Sequence, residues 1–525
     1  MNAENMTLDS LVRRGASSFP DKLAIHDADR SLTYGQLDAD VDGLAAALLE
    51  LGVRKGDRVA SLFFNEWQAF VVYFAVVRLG ALIVPINHRL VGAEVAFQLS
   101  QADCAVLVYC DELEAVVAPL RGAVPVKHWI ASGAAAPDAG EHRLEALLDD
   151  YRGRRPALTW TVRRGDASGV WFTSGTTGEP KGTVTTHDSG IWAATCMALA
   201  LGMTEQHRLL GVAPAFHRGP MENFHVAGFL LGSSHYLLRR FDPVAMLRAI
   251  EEHRLTHGFI VPSMTYAVLG VPDRADFDLS SMRGWLTASA HFPEEYRCRL
   301  ETETTLPSNT VFNAYGITES LLNTCLWPSE APARPGSVGR TVPGVWLRIV
   351  DAERRTLAAG EVGEIAVSAP SIASTYLGRP ESWAAVTFVD DGRLWYLSGD
   401  LGRLDDEGYL YIVDRAKDMV ISGGENIYSA EVEQVLINHP GVHEVAVVGA
   451  PDERWGECVV AVVVRSPGAQ VGDTDLVEFC DGRLASYKRP RRIHFVDTLP
   501  RNGFGKVQKQ RVRTLVAELP PVPHQ

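Results

Sequence analysis

The sequence predicts an α/β protein: a large N-terminal domain built of α/β subdomains with mixed, mostly parallel sheets, followed by a small α+β C-terminal domain. Three observations predict it. At 525 residues and 46% hydrophobic content the chain is too long for one ordinary core, yet has apolar material for several. From residue 20 to about 400, short β-rich runs alternate with helical patterns, the rhythm of parallel sheets covered by helices. Past Tyr411 that rhythm gives way to a compact unit of roughly a hundred residues, a normal size for a small domain.

The elements follow in order. Arg58 to Phe63 reads as a strand, Glu66 to Leu79 as a helix and Ala81 to Pro85 as a strand. The most apolar stretch, Trp67 to Ile86, is broken by Arg78, Gly80 and Pro85, so it reads as a buried helix and strand and not as a membrane span. Gly133 to Gly140 is a surface loop. Gly169 to Trp171 and Thr183 to Thr186 are strands flanking a Gly/Ser/Thr-rich loop. Gln206 to Pro214 is a strand, Asp242 to Arg254 a helix, and Gly258 to Val261 and Thr310 to Phe312 strands. Ser429 caps a helix with the stripe Val432, Val435 and Leu436, stopped by Pro440 and Gly441. Strands at Glu444 to Val448 and Val459 to Val464, a helix over Thr474 to Ser486 and a strand at Arg492 to Val496 complete the small domain. The division is 1–413, a connection at 414–418, and 419–525.

Charge narrows the partners. With 64 acidic against 50 basic side chains the net charge is -14, which repels phosphate backbones and anionic lipid, so neither nucleic acid nor membrane is expected. The seven cysteines are scattered, with no C-x-x-C pair, which suits free thiols in a reducing cytoplasm. The N-terminus lacks the basic-then-apolar order of a secretory signal.

The strongest local signal is Phe172-Thr173-Ser174-Gly175-Thr176-Thr177-Gly178-Glu179-Pro180-Lys181-Gly182. Three glycines free the backbone to turn N–H groups inward, four hydroxyls add donors, and Lys181 brings a mobile positive charge, together a cradle for polyphosphate. It is not a Walker A loop, because Pro180 precedes the lysine, Gly182 follows it, and a strand rather than a helix comes next. Four further strings follow: Asn313-Ala314-Tyr315-Gly316-Ile317-Thr318-Glu319, Tyr396-Leu397-Ser398-Gly399-Asp400, Asp414-Arg415-Ala416-Lys417-Asp418 running on to Gly423-Gly424-Glu425-Asn426-Ile427, and Pro500-Arg501-Asn502-Gly503-Phe504-Gly505-Lys506.

Together these five motifs, in order and spanning about residues 20 to 515, resemble the adenylate-forming superfamily of acyl-CoA synthetases, peptide-synthetase adenylation domains and luciferases. The resemblance implies an ATP-dependent, AMP-forming ligase that makes an acyl-adenylate and then a thioester of coenzyme A. It implies that Thr173 to Gly178 and Lys181 hold the β- and γ-phosphates, that Tyr315, within Asn313 to Gly316, stacks on adenine, that Thr318 contacts phosphate, and that Glu319 binds Mg²⁺. Asp400 would accept from both ribose hydroxyls and Arg415 grip the ribose, with Ile412 in the same nucleotide set. Lys417 would be the pivot of a mobile small domain, Gly423 and Gly424 would lie along the pantetheine tunnel, and Lys506 would bridge the carboxylate and the α-phosphate. His217 corresponds to the gate of the acyl pocket. Thr287-Ala288-Ser289-Ala290-His291-Phe292 stands where relatives commonly read Ser-Gly-Gly-Ala-Pro-Leu; the backbone of Ala288, Ser289 and Ala290 can still meet adenine, and His291 has no assigned role.

The resemblance also sets the mechanism. Attack of a carboxylate on the α-phosphorus needs charge stabilised on equatorial and leaving oxygens, with no covalent enzyme intermediate. Thiol attack on the adenylate then requires Lys506 to withdraw, by rotation about Lys417.

Arg218, Glu222, Asn223 and His225 make the expected acyl-pocket region polar, which points to a small aromatic or polar acid unless these side chains pair with one another or face solvent. Coenzyme A is the expected acceptor, since Gly423-Gly424 and Trp455-Gly456-Glu457 resemble the CoA-using branch. The alternatives are a carrier protein or amine as acceptor, nitrite activation with an aryl amine, or a regulator that kept the fold and lost the chemistry. A homodimer is compatible with all of them.

Overall fold

The structure is a computed structural model that describes every residue except 1–5, 134–140, 174–179, 291, 416, 423–424, 453–454, 482, 502–505 and 520–525. It divides into two compact units, Met1–Leu347 with Val367–Tyr396, and Arg348–Ala366 with Leu397–Gln525. The second unit therefore begins ahead of the 414–418 connection read from the sequence and recruits an earlier segment.

The first unit is built on two sheets. One has the strand order 340–341, 321–326, 311–317, 284–287, 257–259, 208–211, 234–237, 23–26, 31–33, parallel through its centre and antiparallel at both edges. The other runs 375–376, 181–186, 167–173, 82–85, 58–62, 106–110, 128–132, 142–143, with antiparallel pairing confined to its first three strands. Central strands such as Arg58–Leu62 and Leu82–Pro85 are almost entirely buried, which is why they read as mostly apolar runs and not as strict alternation. The stretch from Trp67 to Ile86 is the helix Trp67–Arg78 followed by that second strand, and no helix among the described residues is long and apolar enough to cross a membrane.

In the second unit the strand Gly456–Arg465 carries the core on both faces. Val459, Ala461 and Val463 pack with Val432, Leu436 and Leu476 of the helices Ser429–Leu436 and Asp473–Phe479. Val460, Val462 and Val464 pack with Val512 and Val516 of the helix Lys509–Glu518. The second helix stops at Phe479, short of the expected Ser486, because Asp481-Gly482 breaks the pattern; a 3₁₀ turn at Ser486–Lys488 follows. The cysteines are all free, as expected.

Candidate active site

The phosphate-loop motif hangs from a hairpin in the first unit. Strand Ala167–Thr173 pairs antiparallel with Lys181–Thr186, and Thr173 lies opposite Lys181 at its mouth. Ser174 to Gly178 lie outside the described residues. Lys181 was expected on the loop itself; it is the first residue of the return strand, and its Nζ stands 5.0 Å from the ring centre of Tyr376.

The Asn313–Glu319 motif does not follow a strand, as expected, but is largely the strand itself, Val311–Ile317, which returns as Leu321–Leu326. Gly316 is required there: a Cβ would lie 2.1 Å from the carbonyl oxygen of Leu321. Leu321 takes up a left-handed φ of 61°, an uncommon conformation for a branched side chain, to close the turn that carries Thr318 and Glu319. Asn313 donates to the carbonyl of Ser337, and Ala314 and Tyr315 are buried.

Glu319 is buried, at 8% exposure. Burial raises its carboxyl above the usual range, opposed by a hydrogen bond from Tyr376 and by the charge of Arg218. The Tyr376 hydroxyl donates to Oε1 at 3.0 Å and lies 2.8 Å from the hydroxyl of Tyr396. Burial raises both phenols, so they remain protonated donors. No group of three or more His, Cys, Asp or Glu side chains able to hold a metal occurs among the described residues. A lone carboxylate fits Mg²⁺, which takes one or two carboxylates and completes its shell with phosphate and water.

The segment 371–377, which the sequence reading passed over, ties these two motifs together. Leu377 N–H donates to the Gly182 carbonyl and Ser374 N–H to that of Val184, while Ala373 N–H donates to the Glu319 carbonyl and Ser371 Oγ to that of Ser320. Arg218 completes the clamp, with Nη1 2.6 Å from the Thr318 carbonyl and Nη2 3.3 Å from that of Ser371.

That placement decides between the two readings of the polar segment in favour of mutual pairing over a polar acyl pocket. Arg218 and Glu222 have fully buried side chains and pair with each other, Nε to Oε2 at 2.7 Å, and Glu222 Oε1 accepts from Tyr73. They sit at a π-helical turn, Gly219–His225, an arrangement frequent at functional sites. His225 and His235 meet Nδ1 to Nδ1 at 2.9 Å, one donating and one accepting, and burial lowers both well below the ordinary imidazole range. Asn223 is buried as well. The charges and imidazole of 218–225 are thus consumed internally, whereas the buried Asn223 Oδ1 has no hydrogen-bond partner among the described residues. The cavity beside this turn is apolar, lined by Phe63, Phe64, Tyr73, Ile83, Phe216 and Met221 among others. His217 packs on Phe216 with ring centres 4.0 Å apart, and burial drives its imidazole neutral.

Ser289 adopts φ 75°, the left-handed backbone that glycine favours. Ala288 is buried, Ser289 and Ala290 are exposed, and His291 lies outside the described residues.

The second unit brings together the residues expected at the ribose. Strand Leu410–Arg415 pairs with Arg393–Leu404 so that Asp400 lies opposite Arg415, and Arg415 Nε is 2.9 Å from Asp400 Oδ1. Asp400 is buried; Ile412, opposite Gly402, and Lys417 are exposed. Lys506 is held by an antiparallel bridge between Arg501 and Val507 and by Gln508 N–H donating to the Pro500 carbonyl. Although Lys506 keeps solvent access, the dense surround of its ammonium partly desolvates it; that and the nearby Arg415 and Lys417 lower it to about 8, against Asp400 and Asp418. Gly423 and Gly424 lie outside the described residues. The backbone N–H of Trp455 donates to Asp452 Oδ1, and the Arg491 guanidinium lies 4.8 Å from its ring centre.

Comparison with known proteins identifies this arrangement. The AMP-binding enzyme description matches residues 12–377, and the AMP-binding enzyme C-terminal domain matches residues 431–506. The chain belongs to the AMP-binding enzyme family. It is 37% identical to indoleacetate–CoA ligase of Aromatoleum aromaticum, over 98% of each chain. It is 36% identical to feruloyl-CoA synthase of an Amycolatopsis species, over 97% of this chain and 99% of the other. The structure of anthranilate CoA ligase AuaEII in complex with anthranoyl-AMP superposes with a TM-score of 0.88, at 28% identity over 98% of each chain. This AMP-binding enzyme is accordingly an ATP-dependent, AMP-forming ligase of the acyl-CoA synthetase type, with ATP, Mg²⁺ and CoA as its expected small molecules.

Proposed function

We propose that the acid activated is an aryl-bearing carboxylic acid, and that the motif residues above carry both half-reactions. The observation that carries the acid class is the apolar cavity, whose wall includes Phe63, Phe64, Tyr73 and Phe216, next to the neutral His217. Aromatic walls favour edge and offset contacts with a ring. The cavity measures about 20 Å³, the room of a single water, so a ring would have to displace lining side chains, of which Met221 is the most adaptable. The relatives named above carry aryl acids in their names. A panel of arylacetic, cinnamic, short aliphatic and long-chain acids, each with and without CoA, tests this by AMP release and thioester formation. Aryl acids should show the highest kcat/KM, with CoA required for the thioester; a preference for long-chain acids, or equal turnover with an amine in place of CoA, would overturn it.

In this reading Thr173 to Lys181 and Thr318 bind the polyphosphate, Glu319 holds Mg²⁺, and Tyr315 with the backbone of 288–290 cradles adenine. The magnesium, when bound, neutralises part of the polyphosphate charge. Asp400 and Arg415 take the ribose, Lys506 supplies the cation at the α-phosphate, and 414–418 is the hinge, with Lys417 its pivot. Gly423, Gly424 and Trp455 serve the thiol half-reaction. Free thiols throughout suit a cytoplasmic enzyme.

The ammonium form of Lys506 is the useful one, and it loses its proton as pH rises through about 8. Adenylation kcat/KM, followed by ATP–pyrophosphate exchange, should therefore fall about tenfold per pH unit above that value, and Lys506→Arg should remove the alkaline limb. A profile flat to pH 10 in the unsubstituted enzyme would contradict this role.

A further inference from the structure

We propose that Tyr376 is a positioning residue of the Mg²⁺–ATP site, orienting the Glu319 carboxylate through its hydroxyl and Lys181 through its ring face. Three independent contacts support this. The phenol donates to Glu319 Oε1 at 3.0 Å, the Lys181 ammonium stands 5.0 Å from the ring centre, and the residue lies on a two-residue strand, Thr375–Tyr376, paired with Lys181–Thr186. An ionised carboxylate cannot donate, so Tyr376 gives its one proton to Glu319 and its oxygen accepts from the Tyr396 hydroxyl, 2.8 Å away. The ring is braced by Trp383, whose ring centre is 5.2 Å away at 87°, in a cluster with Ala373 and Tyr396. A cation over the ring face is attracted by the ring quadrupole, and its pull on the π-electrons strengthens the hydroxyl as a donor. One side chain thus sets the direction of the carboxylate that meets the metal and the position of the lysine that meets the phosphates. Outer-shell groups of this kind orient a metal ligand, and losing one typically costs about 10–100-fold in metal affinity.

The proposal rests on ATP and Mg²⁺ binding at this motif, and the test separates the two. Equilibrium binding of ATP is measured by calorimetry, without acid or CoA, in EDTA and across a Mg²⁺ titration. Unsubstituted protein that showed no metal-dependent gain in ATP affinity would remove the site assignment itself. Given that gain, Tyr376→Phe keeps the ring and loses the hydroxyl. It should raise the Mg²⁺ concentration for half-maximal effect roughly tenfold and leave ATP affinity in EDTA unchanged. Tyr376→Leu, which removes the ring as well, should also weaken binding in EDTA, because Lys181 loses its partner. Tyr396→Phe, which leaves Tyr376 in place, should shift the Mg²⁺ dependence in the same direction by less, and serves as the test if Tyr376→Phe does not fold. An unchanged Mg²⁺ dependence in the phenylalanine variant tested, or equal loss with and without metal, would overturn the proposal.

Discussion

Lys506→Ala abolishes adenylate formation and leaves thioester formation from a supplied acyl-adenylate close to its original rate: this is the largest catalytic effect expected in the chain. Adenylation builds charge on the α-phosphate oxygens in the transition state, and a preorganised cation there is worth about 10²–10³ in rate or more when it is the sole one aimed at that charge. Thiol attack on a finished adenylate builds no such charge at the lysine. The surroundings of Lys506 fit a group placed to receive an anion. Arg415 and Lys417 disfavour its cation while Asp400 and Asp418 retain it, so an incoming phosphate would offset the repulsion from the two neighbouring cations. Single-turnover measurement of each half-reaction checks this. Equal loss in both would mean that the substitution damages the fold, or that the lysine serves the acyl group throughout.

The largest effect on stability is expected at Arg218. Its side chain and that of Glu222 are fully buried and paired at 2.7 Å. Removing one partner of a buried ion pair strands the other charge in a medium that cannot solvate it, a loss of about 3–5 kcal/mol, whereas replacing both by apolar groups of similar volume is often neutral. Arg218→Met should therefore lower the unfolding free energy by about that amount, and Arg218→Met with Glu222→Met should recover most of it. The double variant should still bind ATP more weakly, since the carbonyls of Thr318 and Ser371 lose their shared donor. Denaturant unfolding of the two single variants and the double variant tests this. A double variant no more stable than Arg218→Met would show that the pair is not the source of the loss.

How far the sequence could be read depended on whether a feature was local. The alternation of strand and helix was legible because hydrophobic period survives in any window of a dozen residues, and Trp67–Arg78 followed by Leu82–Pro85 fell within a few residues of expectation. The phosphate loop and the Thr318–Glu319 turn were legible as strings because their chemistry is packed into consecutive positions. Tyr376 was not: it meets Glu319 across 57 residues, and the stretch around it is joined to both motifs through backbone N–H groups that any residue could supply. Arg218 and Glu222 were visible as an i, i+4 pair of opposite charge, but polarity alone could not say whether they faced a ligand or each other. The left-handed backbone at Ser289 left its trace only as a departure from the Ser-Gly-Gly-Ala-Pro-Leu string of the family resemblance.

The strand Gly456–Arg465 has no face it can show to water: Val459, Ala461 and Val463 point one way and Val460, Val462 and Val464 the other. The first set is covered by helices that include one made before the strand, Ser429–Leu436. The second waits for Lys509–Glu518, the last described helix in the chain. During synthesis this valine surface stays open until Lys509–Glu518 has left the ribosome, the kind of transient exposure on which chaperones act. The helix that closes it begins three residues after Lys506, so completion of the small unit and delivery of its lysine are nearly the same event.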